Sequence, residues 1–329
     1  MTAQEFILCG MESHRHGDLN TAANLFETAL TELAKDGNEP KLVNITLTQL
    51  AYVRMDQGQL TDAELLFRNA LAVCRTREHD GRAARIVASG NLALVLTEEA
   101  KYTEADALTA SGIEEASVVF GPKSKQYATL LAIRGSIAMG RDQLPLTIKL
   151  LGRAIAIMQS QKSNHEELGR AYQNLAAAAA QAGKTNLALA SLRQARDEWL
   201  SSLPENHPAL IDEQNTLICI YLKRRQYQKA YAATMSLLPR AERILGPDHP
   251  RFAVILSNAG MICEHEALEA QAAAAFQRAY QINLRALGPM NPKTAYALLG
   301  YGNAMAKGGQ PAQGASLQRQ ATALLNTLH

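Results

Sequence analysis

The chain has 329 residues, 47% of them hydrophobic and 19% charged, with a net charge of +2. That balance fits a folded protein rather than a disordered one, and it excludes bulk attraction to nucleic acid or to an anionic membrane. Aromatics are only 5%, with the single tryptophan Trp199, and alanine is abundant, which favours closely packed helices over strands.

This length exceeds what one compact core usually organises, so internal repetition is the first property to test. Eight segments carry one pattern, in chain order. The first, residues 2–37, presents Gly10, then Gly17, Ala22, Phe26 and Ala29. The second, 40–79, has Ala51, Gly58, Ala63, Phe67 and Ala70; the third, 82–120, has Ala93, Ala100, Ala105, Thr109 and Gly112. The fourth, 124–162, reads Gly135, Asp142, Thr147, Leu151 and Ala154, with Pro145 at a helix start, where it is benign. The fifth, 165–203, gives Ala176, Gly183, Ala188, Leu192 and Ala195.

The sixth, 207–245, departs from the pattern with Ile218 and Arg225 where small residues are usual, followed by Ala230, Thr234 and Leu237. Pro239 falls inside its second helix and predicts a kink or an early helix end there. The seventh, 249–287, returns to Gly260, Ala267, Ala272, Phe276 and Ala279. The eighth, 291–329, has Gly302, Gly309, Gly314, Gln318 and Ala321 and is glycine-rich, so it is expected to be the least stable, with an outer face covered by another chain.

The third residue of each set forms a ladder at intervals of 41, 42, 42, 41, 42, 42 and 42. Offsets of four and seven from that residue lie on one helical face, so a bulky side chain there is flanked by two small ones. Small contact residues let two helix axes approach, and the position five before each rung is the turn between them. Each helix pair leaves a face that only the next pair can bury, which makes the pattern a solenoid. Between pairs, Leu245-Gly246-Pro247-Asp248-His249-Pro250 and Leu287-Gly288-Pro289-Met290-Asn291-Pro292 are equivalent linkers. Leu203-Pro204-Glu205-Asn206-His207-Pro208 is a third, and Phe120-Gly121-Pro122 fits loosely. Glycine ends one helix and the last proline opens the next, where its missing N–H costs nothing.

This register resembles the tetratricopeptide repeat, with its N-L-G/A, G-x-Y-x-x-A and F-x-x-A elements. Asn91-Leu92-Ala93 with Lys101-Tyr102-Thr103-Glu104-Ala105 carries the likeness, as do Gly58-Gln59-Leu60-Thr61-Asp62-Ala63 with Phe67 and Ala70. The usual period is 34; the longer period and the Gly-Pro linkers are similar to kinesin-light-chain-type repeats, although a heptad coiled coil is absent. HEAT and armadillo repeats share the period but not the small-residue ladder, and WD40 blades need strands. The resemblance implies an all-α fold, a right-handed α-solenoid of about eight antiparallel helix pairs, forming one domain over residues 1–329.

It also implies a concave groove lined by the first helices, in which an asparagine amide can donate to and accept from a ligand backbone. Asn91, Asn174 and Asn258 hold that position, with Gln49 as a related amide, while Ile133, Thr216 and Gly300 break the series. Further groove candidates on the same grounds are Tyr52, Arg170, Asn215, Lys223, His265, Asn303 and Lys307. A mild basic tilt in the C-terminal half points to a partly acidic protein or peptide partner.

No catalytic residue is assigned, and no cofactor or metal is expected. His165-Glu166 and His265-Glu266 lack the second histidine of H-E-x-x-H, and Cys263 and His265 are poorly spaced for a shared metal. Gly300-Tyr301-Gly302 follows helical sequence, not a strand. Lys223-Arg224-Arg225 reads as a solvated turn, His14 and His16 as solvated helix-end residues, and Asn44-Ile45-Thr46 as a sequon on a helix. Cys9, Cys74, Cys219 and Cys263 are isolated within apolar helical segments and are expected to be buried, reduced thiols. The N-terminus lacks the features of a signal peptide, and no apolar run reaches 18 residues, so a cytoplasmic location is expected. The function these readings favour is a scaffold or adaptor that holds a peptide or protein segment in the groove. The alternatives are a self-assembly module that stacks through its terminal repeats, and the sensor part of a larger regulatory system.

Overall fold

The computed structural model describes residues 1–15, 18–35, 39–74, 79–161 and 164–327; the turn position Gly17 and His16 lie outside them. The described residues form sixteen α-helices and no strand: α1 Ala3–Arg15, α2 Leu19–Lys35, α3 Pro40–Asp56, α4 Leu60–Val73, α5 His79–Glu98, α6 Tyr102–Val119, α7 Lys125–Gly140 and α8 Leu144–Ser160. There follow α9 His165–Gln181, α10 Thr185–Leu200, α11 Pro208–Lys223, α12 Tyr227–Leu245, α13 Pro250–His265, α14 Glu269–Leu287, α15 Pro292–Lys307 and α16 Pro311–Thr327. Odd-numbered helices open each pair and even-numbered ones close it, an all-α solenoid of tetratricopeptide-type repeats. The residues sort into two compact units, Met1–Asp142 with Ala156–Gln161, and Gln143–Ile155 with Lys162–His329.

The ladder residues are the axis of the packing. Ala22, Ala63, Ala105, Thr147, Ala188, Ala230 and Ala272 are all fully buried, and Gly314 is buried too. Phe26 and Phe67, four residues on, are also fully buried. The reason for glycine in the opening helices is visible at Phe276. A Cβ at Gly260 of α13 would stand 2.7 Å from its ring, and one at Gly300 of α15 2.5 Å, so the ring occupies space that both glycines vacate. Gly10 makes the same room for Phe26. In the sixth pair the sizes are exchanged: the large Ile218 stands at the small position of α11 and the small Thr234 at the bulky position of α12, both buried. That exchange conserves volume at the contact, so the irregular pair still closes.

The turns inside the pairs share one backbone device. All seven described turn positions have positive φ: Gly58, Gly183 and Gly309, but also Ala100 (63°), Asp142 (58°), Arg225 (56°) and Ala267 (56°). At Gly58, Ala100, Gly183, Arg225 and Ala267 the chain leaves the helix through a left-handed residue whose amide and successor both bond back to the last turn. At Gly58 these are Gly58 N–H to Met55 O at 2.9 Å and Gln59 N–H to Arg54 O at 2.8 Å. The linkers between pairs cap the next helix: the side chains of His207, His249 and Asn291 accept from the amides of Ala209, Arg251 and Lys293, and Pro208, Pro250 and Pro292 follow each cap.

Three expectations are corrected. Helix α12 runs without interruption through Pro239 to Leu245, so it does not end early. Pro239 stands on the exposed face, where its ring disturbs no core packing. Cys9 is exposed and Cys219 only half-buried, because both sit off the buried stripe of their helices; Cys74 and Cys263 are buried, and all four are free. His14 is not simply solvated: its Nε2 lies 2.8 Å from Asp56 Oδ2 of the next opening helix.

Candidate functional site

Within each unit the opening helices approach one another in succession, α1 to α3 to α5 to α7 in the first and α9 to α11 to α13 to α15 in the second. Among the described residues no two of the closing helices α2, α4, α6, α10, α12, α14 and α16 approach in this way, so opening helices crowd one side of each unit. The candidates read from the sequence all stand on opening helices, and they fall into two groups by what holds them.

In the first unit, Tyr52 donates its hydroxyl to Asn91 Oδ1 at 2.7 Å, joining α3 to α5, and its ring meets Phe67 edge-on with centroids 5.4 Å apart. Gln49, one helical turn earlier on α3, is half-buried. In the second unit the same kind of link recurs. Asn258 is 8% exposed and donates to Asn215 Oδ1 at 2.8 Å and to Cys219 Sγ at 3.4 Å. Asn303 accepts from Gln318 at 2.8 Å. Asn174 is half-buried on α9. Asn91, Asn215, Asn258 and Asn303 are struts first: each bonds a neighbouring helix, and what it offers a ligand is its remaining hydrogen-bonding capacity at the surface.

The charged candidates stand outward instead. Arg170 pairs with Glu166 at 3.0 Å on its own helix, and Lys307 reaches Glu264 of the preceding opening helix at 3.1 Å. Lys223 is exposed at the end of α11, and His265 is exposed with its ring stacked on Tyr227 at 4.2 Å and 21°. Such exposed pairs are weak, about 0–1 kcal/mol, and exchange readily for a ligand's charge. The structure therefore brings Tyr52 to Asn91, Asn215 to Asn258 and Tyr227 to His265. Sequence reading missed Gln173, whose Nε2 donates to Thr216 Oγ1 at 2.5 Å and to Asp212 O at 3.0 Å. It sits beside Asn174, one position off the asparagine series, and its 43-residue separation from Thr216, one period plus one, was the signal available.

Of the other sequence features, Asn44 of the sequon donates to Ala70 O at 2.8 Å, and Thr46 is fully buried. Arg225 of the basic run is the left-handed turn residue of the sixth pair. Among the described residues, no group of three or more His, Cys, Asp or Glu side chains is arranged to hold a metal ion, and no helix is long and apolar enough to cross a membrane.

Comparison with known proteins agrees with the fold. A family model described as Tetratricopeptide repeat matches residues 45–77. No curated protein sequence matches the chain. Among solved structures, a Rap protein complexed with Competence and Sporulation Factor is similar, with a TM-score of 0.66 at 15% identity over 85% of this chain and 74% of that one. The Rap conjugation gene regulator of the plasmid pLS20, in complex with the Phr* peptide, also has a TM-score of 0.66 at 15% identity, covering 86% of this chain and 75% of its own. BtubC (BKLC) from P. vanneervenii has a TM-score of 0.52 at 16% identity over 68% of this chain and 90% of that one. The repeated register, the sixteen paired helices and the matched segment 45–77 together identify the chain as a solenoid of tetratricopeptide-type repeats.

Proposed function

We propose that this protein is a scaffold that holds a peptide or an extended protein segment along the side lined by its opening helices. The observation that carries the reading is the row of polar side chains on that side: Gln49, Tyr52 and Asn91 in one unit, and Arg170, Asn174, Asn215, Lys223, Asn258, His265, Asn303 and Lys307 in the other. Rigid helices fix these groups, so a ligand that pairs with them has little ordering cost to overcome. The fold is shared with a Rap protein solved with Competence and Sporulation Factor and with a regulator solved with the Phr* peptide, which supports a short peptide as the ligand class. Lys223 and Lys307 favour a partly acidic segment. A cytoplasmic location and a single solenoid domain over residues 1–329 belong to the same proposal.

A pull-down from cell extract, comparing the wild type with the exposed-residue variant Lys223→Glu/Lys307→Glu and with Asn91→Ala/Asn174→Ala/Asn258→Ala, tests the reading. Both variants are expected to lose the partners that the wild type retains, the first most strongly for acidic ones. An unchanged partner set in both would overturn the groove assignment. Self-assembly through the terminal repeats is the competing reading, and light scattering that finds oligomers dispersing on substitution of end-repeat residues would favour it instead.

A further inference from the structure

The second unit contains a cleft that the groove reading does not use. It measures about 390 Å³ and lies between the last turns of α10 and α12 and the first turns of α11. On α11, Leu210, Glu213 and Gln214 face it; at 100° per residue they stand opposite the stripe of Asp212, Asn215 and Cys219 that meets the other opening helices. The cleft therefore opens on the side of the closing helices.

Its chemistry is uneven in an informative way. Arg196, Arg240 and Arg243 line it from the two closing helices. Among the described residues, only Arg240 of the three has a side-chain acceptor at hydrogen-bonding distance, Gln214 Oε1 at 3.2 Å. At the floor is Glu213, 4% exposed, whose Oε2 accepts no hydrogen bond and whose nearest cation, Arg196 Nη1, is 3.7 Å away. A buried acceptor left open costs about 1–3 kcal/mol, more for a charged group. Burial also pushes the Glu213 carboxyl up, against the pull of Arg196. Guanidinium forks around an open acceptor match a ligand that carries an anion and a hydrogen-bond donor side by side. The volume is at the small end of ligand sites, which suits one or two residues.

We infer that this cleft binds the carboxylate end of a peptide, with the terminal carboxylate on Arg196 and Arg243 and the last backbone N–H donated to Glu213. The site is independent of the opening-helix groove. An acylated amino acid presents the same chemistry as a peptide end, and the probes below separate these from a simple anion. Trp199, the only tryptophan, packs with Leu210 of the cleft wall, so its fluorescence reports occupancy.

The whole chain would be titrated with N-acetyl-dialanine, its C-terminal amide, N-acetylalanine and inorganic phosphate. Saturable binding of both free acids is expected, at least tenfold weaker for the amide and for phosphate. A dipeptide that binds better than the acylated amino acid indicates the peptide end. Arg243→Gln and Arg196→Gln, both at exposed positions, should each weaken the acid at least fivefold with helical circular dichroism unchanged, whereas Lys184→Gln, exposed at the far end of α10 from the cleft, should leave it as it was. No saturable change in the wild type would overturn the proposal without recourse to any variant. Equal binding of acid and amide would do the same, as would phosphate binding as tightly as the acid. Sensitivity to Lys223→Gln but not to Arg243→Gln would move the ligand to the groove.

Discussion

Four of the seven described turns hold a non-glycine residue in the left-handed region, and this gives a pair of opposite substitutions whose magnitudes can be worked out. Ala267 is exposed with φ 56°, and it leads Leu268, whose N–H bonds Cys263 O at 2.8 Å. A left-handed L-residue costs about 1–2 kcal/mol, and glycine's extra freedom in the unfolded chain costs about 0.5–1 kcal/mol. Ala267→Gly should therefore stabilise by about 0.5–1 kcal/mol, since an exposed methyl contributes little packing. Gly183 is the reverse case: φ is 71° and a Cβ there would meet nothing within 4 Å. Gly183→Ala has no steric term beyond the backbone one and should destabilise by a similar about 0.5–1 kcal/mol. For units of this size the shift is about 2–4 °C per kcal/mol. Urea unfolding at constant slope, with hydrogen exchange at the affected turn as a local check, measures both. Ala267→Gly that lowers stability, or Gly183→Ala that leaves it unchanged, would refute the reasoning that the turns are set by backbone sterics.

Two further outcomes follow from packing and charge. Gly260→Ala gains about 1 kcal/mol in helix propensity but drives a Cβ to 2.7 Å from the Phe276 ring, which costs about 1–3 kcal/mol; it should destabilise, and Phe276→Leu should relieve it in the double variant. Gly152→Ala, in helix α8 with nothing within 4 Å of its Cβ, should stabilise by about 1 kcal/mol, and thermal melts that rank the two the other way would sink the packing account. Burial opposes the charge of Glu64, yet hydrogen bonds from Lys101, Glu99 and Arg68 outweigh it and hold the carboxyl down at about 2, while burial and Glu64 push Glu99 up. A depressed carboxyl stabilises above its ordinary value of 4.5 and loses that contribution as pH falls towards 2, so Glu64→Gln should flatten the acid limb of stability against pH. A raised carboxyl has the opposite sign: the fold keeps the Glu99 proton above the ordinary range, stability declines as pH rises through that window, and Glu99→Gln should remove the decline. Urea midpoints from pH 2 to 7 that are the same in both variants as in the wild type would contradict the network.

The fold was legible because its determinants are local and periodic. A residue must be small wherever a neighbouring helix axis passes close, and that constraint recurs once per repeat, so Ala22 to Gly314 announce both the helix pairs and the buried seam. The linker prolines were legible for the same kind of reason, since proline at the first helical turn is a rule about one backbone position. Pro239 shows the limit: its local cost predicted a kink or an early end, and the early end does not occur, because which face of α12 turns to water is decided by packing and on the exposed face the helix continues. Glycine at Gly58 and Gly183 revealed the turn, whereas Ala100 and Arg225 gave no sign that they share its left-handed backbone. The candidate asparagines were found as residues but not as struts, because the partners of Asn258 lie 43 and 39 positions away on another helix. The cleft was invisible for the same reason. Arg196, Glu213 and Arg243 look like ordinary charges on three helices, and only the stacking of those helices sets them around a buried acceptor that lacks a hydrogen bond.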